Sequence, residues 1–337
     1  MNSKERIEAL LKGEKIDRIP AVPLIFNHGA RIIGEPVSKF NSDVDTMVKG
    51  NIAAYRKYGS DLIIIFTTTA TLAESMGTKL KFPYDDVPHV EVPIVQEEKN
   101  IDLIKIPDPY IDGRLPIYLE AAKRIKEEVG DEVNLSVAVA GPFTNAAHLR
   151  GTERFILDTY KNKKLVDNLL KQSIKAAKVF IDELAKLDAI PLIVEPVAST
   201  NLISPKQFKE FALPYLQEMV SYIHSKGLPS ILHVCGKTPL IVDLMADTGT
   251  DIISIDTIDI AVAKEKVGDR VVILGNVDPA KTILKGKPED VHRAVKDIIE
   301  KGRDSKKGII VSSGCEVPIN SPFENVAALV KATKELS

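Results

Sequence analysis

The sequence predicts an α/β fold, a (β/α)8 TIM barrel with a small insertion after the second strand, and three observations carry that prediction. Eight short and almost continuously apolar runs recur along the 337 residues. Runs such as Leu62-Ile63-Ile64-Ile65-Phe66 and Val271-Val272-Ile273-Leu274 have no polar face, as expected of parallel strands covered on both sides. Most are followed by a helical pattern, and a closed barrel of alternating strands and helices uses about this length as one domain. A single domain over residues 1–337 is therefore expected.

The strand candidates are residues 19–27, 62–67, 133–141, 190–197, 228–235, 252–256, 271–277 and 308–314. Between them, Ser204-Pro205-Lys206-Gln207 and Ser321-Pro322-Phe323-Glu324 each read as a helix start, with an N-cap serine, proline at the first helical position and a capping-box partner. Thr238-Pro239 reads as a start without the box. Residues 164–187 place Leu165, Leu169, Ile174, Ala177, Phe180, Ile181 and Leu184 on one helical stripe that should face the sheet. Residues 79–112, rich in acids and prolines, read as the insertion, a small hairpin or lid.

Composition excludes several function classes. The formal charge is −2 with acids and bases interspersed, so no nucleic-acid footprint is present. The charged N-terminus, Met1-Asn2-Ser3-Lys4-Glu5-Arg6, lacks an apolar export core, and no apolar run approaches the roughly 18 to 20 residues a bilayer needs. A cytoplasmic protein with no membrane partner is expected, and assembly as a homo-oligomer is left open.

His233-Val234-Cys235 closes one apolar run, and the other cysteine, Cys315, follows another. Residues two apart on a strand share a face, so His233 and Cys235 should present an imidazole nitrogen and a sulfur to one side. With Cys315 at the equivalent end of its own strand, the set is a three-ligand zinc site with an open fourth position, the arrangement catalytic zinc uses. Each residue alone is more often an ordinary buried side chain. A disulfide is disfavoured without an export signal.

A barrel keeps its chemistry at the C-terminal ends of its strands. Those ends hold Asn27, His28, Thr67, Thr68, Thr69, Gly141, Thr144, Glu195, His233, Cys235, Asp256, Asn276, Asp278, Cys315 and Glu316. Glu195 and Asp256 are the candidate catalytic carboxylates. Asp256 reads as a turn cap, a metal ligand or a support for the histidine ligand. His28, His148 and Arg150 fall in rim loops and read first as solvated residues.

His233-Val234-Cys235-Gly236-Lys237-Thr238, Leu274-Gly275-Asn276-Val277-Asp278-Pro279 and Ser313-Gly314-Cys315 followed by Pro322-Phe323-Glu324-Asn325 resemble the uroporphyrinogen decarboxylase superfamily. Within it they resemble the zinc-dependent methylcobamide:coenzyme M methyltransferases. The resemblance spans essentially the whole chain. It implies zinc held by His233, Cys235 and Cys315, with Asn276 and Asp278 as candidate cofactor contacts. It also implies a corrinoid (methylcobamide) supplied by a partner corrinoid protein, since no Asp-x-His-x-x-Gly signature occurs in the chain. Asp256 is similar in position to a zinc-ligating glutamate of cobalamin-independent methionine synthases.

The implied activity moves a methyl group between a methylcorrinoid protein and a thiol such as coenzyme M. The alternative is an O-demethylase component that delivers methyl from a methoxylated substrate to a corrinoid protein. Porphyrinogen decarboxylation ranks lower. Where the decarboxylase carries an arginine-rich segment and an aspartate, this chain has Asn27-His28-Gly29-Ala30-Arg31 and Phe66-Thr67-Thr68-Thr69, with one arginine and no acid. A zinc-stabilised binding barrel ranks lower still, because structural zinc usually has four protein ligands.

Overall fold

A computed structural model describes residues 1–337. Seven strands form one parallel sheet: β1 (Leu62–Ile65), β4 (Asn134–Ala140), β5 (Ile190–Val194), β6 (Ile231–His233), β7 (Ile252–Ser254), β8 (Val272–Val277) and β9 (Ile309–Ser313), hydrogen-bonded in that order. Two more, β2 (Lys79–Lys81) and β3 (His89–Val92), make a separate antiparallel pair. This pair is the hairpin expected within residues 79–112, and a 3-10 turn follows it at Glu98–Leu103.

The strands end earlier than their apolar runs. Both Cys235 and Asp256 lie beyond the last paired residues, His233 and Ser254. The first expected strand, residues 19–27, departs most. It makes one isolated bridge, Ala21 to Val311, with Val22 N–H donating to Val311 O at 2.8 Å and Asp61 N–H to Ala21 O at 2.8 Å. Pro20 and Pro23 lack N–H donors, so a regular ladder cannot form here. The segment nevertheless occupies the gap between β9 and the chain entering β1.

Side-chain alternation sorts the apolar residues into two layers. A cluster of 17 buried residues takes Leu62, Ile64, Leu192, Ile231, Ile252, Val272, Leu274 and Ile310 from the sheet, and Val22, Leu24 and Phe26 from the bridged segment. A second cluster of 82 takes the alternate positions, Ile63, Ile65, Val137, Ile193, Leu232, Ile253, Ile273 and Val311, together with the helices. The sheet is thus covered on both faces, which is why its strands read as unbroken apolar runs. The helix Ser3–Lys12 adds Ile7 and Leu10 to the smaller cluster.

The helix Lys163–Lys186 buries every residue of its expected stripe. Ser204 and Gln207 form their capping box. Two other expected starts are corrected. After Thr238 the chain turns, and the helix begins only at Val242, because Thr238 O accepts the Ile241 and Val242 N–H groups in the turn. The last helix spans Phe323–Leu336 with Pro322 at its N-cap, and the Ser321 hydroxyl caps nothing.

A charged clasp ties the bridged segment to β1. The fully buried Asp61 carboxylate accepts from Arg6 Nη1 at 2.7 Å, from both Arg18 Nη atoms at 2.8 and 2.9 Å, and from Ala21 N at 2.8 Å. Both oxygens are satisfied, which a buried charge requires. No helix is long and apolar enough to cross a membrane.

Candidate active site

His233 pairs with Ser254 in the β6–β7 register, and His233 Nδ1 lies 2.9 Å from Ser254 Oγ. Both residues follow, two positions on, side chains of the smaller apolar cluster, Ile231 and Ile252. They therefore stand on the face of the sheet opposite the outer helices. With the ring proton on Nδ1 and donated to Ser254 Oγ, Nε2 keeps its lone pair. Nε2 lies 3.7 Å from Cys315 Sγ.

Cys315 also meets Cys235. The neighbouring Cys315 side chain draws the Cys235 pKa below the ordinary thiol value. The Cys235 side chain, reinforced by burial, pushes the Cys315 pKa up. Both cysteines are free and half-buried.

The donor types, and one donor separation, match those of zinc sites. Two ligands at tetrahedral zinc, one nitrogen at ~2.05 Å and one sulfur at ~2.3 Å, lie about 3.6 Å apart; His233 Nε2 and Cys315 Sγ are separated by 3.7 Å. No group of three His, Cys, Asp or Glu side chains is arranged here to hold a metal ion. What the structure brings together is two contacts that share Cys315.

Asp256 lies between the two cysteine loops. Its Oδ2 accepts from Gly236 N at 2.7 Å, one residue past Cys235. Its Oδ1 packs so closely on Gly314, one residue before Cys315, that a Cβ there would approach it to 2.8 Å. Gly236 itself has φ +77° and faces Asn201, so a side chain there is excluded by both backbone and space.

The other expected residues are placed differently. Asn276 donates to Asp256 O at 2.7 Å and Ile258 O at 2.6 Å, clamping the loop after β7. Asp278 caps its own following turn, accepting from Ala280 N and Lys281 N. Glu195, fully buried, accepts from Phe143 N at 3.1 Å and Thr144 N at 2.5 Å at the start of the helix Pro142–Arg150. Its carboxylate makes no hydrogen bond to the His233, Cys235 or Cys315 side chains, although its backbone N–H donates to His233 O at 2.9 Å. Burial pushes its pKa up to about 7 despite the two amide donors.

His28 is not a solvated rim residue. It is buried, with Nδ1 on Ile319 O and Nε2 on the Tyr58 hydroxyl. Arg150 is held by Asp158 and the Val95 and Gln96 carbonyls. His148 Nε2 meets Thr69 Oγ1 at 2.9 Å. Ser254 was not anticipated, although its position two residues before Asp256 on the same run was a usable signal. Glu316 was anticipated only as a rim residue; its Oε1 takes both the backbone and side-chain N–H of Asn27, at 3.1 and 2.9 Å.

The fold is a barrel-like α/β one, with His233 ending β6, Cys235 two residues beyond it and Cys315 two residues beyond β9. The uroporphyrinogen decarboxylase (URO-D) family model matches residues 2–336, and the chain belongs to that family. Among its relatives, the methylcobamide:CoM methyltransferase MtaA of Methanosarcina barkeri is 28% identical over 339 residues, covering 98% of this chain and 97% of the relative. The methylcobamide:CoM methyltransferase MtbA of Methanosarcina mazei is 28% identical over 343 residues, covering 98% and 97%. A uroporphyrinogen decarboxylase of Aliivibrio salmonicida is 27% identical over 293 residues, covering 84% and 81%. A solved structure of a methyltransferase from Methanosarcina mazei superposes with TM-score 0.91 at 26% identity, covering 99% of each chain. These whole-length likenesses to methyltransferases support an enzyme of the transferase class.

Proposed function

We propose that this protein is a zinc-dependent methyltransferase, built as one closed eight-unit barrel, that moves a methyl group between a methylcorrinoid carried by a partner protein and a thiol. Coenzyme M is the acceptor in the names of the methyltransferase relatives. The observation that carries the reading is Cys315 in contact with both His233 and Cys235. It is joined by the methyltransferase likeness over nearly the whole chain.

When bound, zinc supplies Lewis acidity that makes a substrate thiol acidic near neutral pH. The residues prepare its seat. Ser254 orients the His233 ring, so Nε2 is presented without a rotamer search. Cys235 and Cys315 each give up a proton on metal binding. Asp256 holds the backbone past Cys235 and packs against Gly314, which fixes the separation of the two sulfurs.

A bound methylcorrinoid would supply the methyl group and keep the bonding electron pair, and the thiol would become a methyl thioether with its proton passing to solvent. Asn276 and Asp278 shape the loops on the β7 and β8 side of the seat, where the corrinoid would approach.

Porphyrinogen decarboxylation is disfavoured by a specific observation. A polyanionic tetrapyrrole needs free guanidinium forks. Arg31, the one arginine of residues 27–31, donates to Ser321 O at 2.7 Å and lies over the Phe323 ring at 4.8 Å.

The test is metal content and methyl transfer together. Wild type should bind one zinc and demethylate methylcobalamin with an added thiol. Cys235→Ala and Cys315→Ala should lose the metal yet keep their circular dichroism spectrum. Undiminished zinc in both variants would overturn the ligand assignment, and methylcobalamin left intact by every thiol would move the O-demethylase reading to first place.

A further inference from the structure

Cys315 is not held by its own backbone. Neither its N–H nor its C=O takes part in a hydrogen bond within the chain, so its place is set by the residues on either side. On one side Gly314 N donates to Val277 O, at the end of β8, at 2.9 Å. On the other, Val317 N donates to Leu24 O at 2.8 Å. Closer to the sulfur, Glu316 Oε1 accepts from Asn27 N at 3.1 Å and from Asn27 Nδ2 at 2.9 Å.

Asn27 is a bridge. Its Nδ2 also donates to Thr67 O at 3.0 Å, just past the end of β1, so it joins the two sides of the seam that the irregular segment 19–27 closes. Two features of this corner cost stability. Phe26 adopts φ +40°, a left-handed conformation that a side chain disfavours. Asn27 is fully buried, yet its Oδ1 has no partner. Packing alone requires neither, and such costs gather where a chain must present a functional group.

We propose that Asn27 and Glu316 are positioning residues for Cys315, holding its sulfur at the separation from His233 Nε2 that a shared metal needs; the proposal rests on the zinc reading above. That separation, 3.7 Å, is kept although the loop carrying Cys315 belongs to no ladder. Both Asn27 donors converge on one carboxylate oxygen, a charge-assisted arrangement. Without it the nearest remaining tie on that side is Val317, two residues from the sulfur. What the site needs from residue 316 is an acceptor, which glutamine keeps and alanine lacks.

The test is a double-mutant cycle on the full-length protein. Zinc affinity is read by chelator competition, and the absorption bands of the cobalt(II)-substituted protein give a second readout. Asn27→Ala and Glu316→Ala should each weaken zinc binding about 10-fold, and the double variant by no more than about 10-fold, because both remove one contact. Glu316→Gln should stay within about 3-fold of wild type and keep its cobalt(II) spectrum. Additive losses, or unchanged zinc affinity in Glu316→Ala beside a lowered urea stability, would overturn the proposal. Should Asn27→Ala fail to fold, Glu316→Ala and Glu316→Gln decide by themselves, and equal losses in the two, or none in either, would overturn it.

Should wild type bind no zinc, the metal reading has failed separately. Iodoacetamide labelling of the metal-free protein then reads the placement of Cys315 alone, with Cys235 as the internal reference. Glu316→Ala should raise the Cys315-to-Cys235 labelling ratio about threefold or more through a looser loop, and Glu316→Gln should not. A ratio unchanged in Glu316→Ala would overturn the proposal there too.

Discussion

Ser254 faces His233 across one rung of the β6–β7 ladder, and its hydroxyl lies 2.9 Å from the imidazole Nδ1. That contact holds the ring in place, and with the proton on Nδ1 the free nitrogen is Nε2. Ser254→Ala should leave the fold intact, since it removes one oxygen from a strand end, and should weaken zinc affinity by about 10-fold. Competition with a chromophoric chelator measures this. Unchanged affinity would mean that the ring is oriented by packing alone.

Asp256 discriminates between a structural and an electrostatic role through two substitutions. Asn retains an oxygen able to accept from Gly236 N, whereas Ala does not. Asp256→Ala should reduce zinc affinity by about 10-fold while Asp256→Asn stays within about 3-fold of wild type, the pattern of a residue acting through the loop it holds. Equal losses in both variants would instead show that the negative charge is required at the metal.

Glu195 gives the stability a pH signature. Its carboxyl is pushed up to about 7 in the folded chain from an ordinary 4.5. Between those values the folded state holds a proton that the unfolded state has lost, so stability falls as pH rises through this window and is flat in this respect above and below it. Relative to Glu195→Gln, wild type should lose up to about 3 kcal/mol between pH 4.5 and 7. Parallel urea titrations of the two proteins across that range supply the difference. A constant difference would show that the two amide donors at Phe143 and Thr144 fully offset burial.

The Asp61 clasp should matter to folding and not to metal binding. Replacing Asp61 by Asn leaves Arg6 and Arg18 without their shared countercharge in a buried setting, with an expected loss of about 3 to 5 kcal/mol. Urea denaturation should show that loss, while zinc content of the folded fraction stays at wild-type level. A loss below about 1 kcal/mol would mean that solvent reaches the arginines.

Much of the fold was legible because parallel strands covered on both faces must be apolar at every position, and seven of the expected runs hold strands of the sheet. The exception, residues 19–27, has the composition of a strand but two prolines that remove ladder donors. Alternation likewise gave the expectation that His233 and Cys235 share one side, while the paired strand ends at His233. Local signals failed where a turn competed with a cap, at Thr238 and Ser321, because a hydroxyl beside proline does not by itself set the chain direction.

The sequence by itself determined the alternation of strands and helices and the hairpin after the second apolar run, and it placed His233, Cys235 and Cys315 at or just beyond strand ends. These are consequences of side-chain period, apolarity and donor chemistry, all carried by residues close in the chain. Only the tertiary structure decided which polar groups meet: Ser254 with His233, Asp256 between Gly236 and Gly314, Asn27 with Glu316, and Asp61 with two arginines. It also turned Glu195 toward a helix N-terminus and Asp278 toward its own turn. The physical reason is range. Period and propensity act over a few residues, whereas the partner of a buried polar group is fixed by sheet register and by the need to satisfy its hydrogen bonds once water is gone.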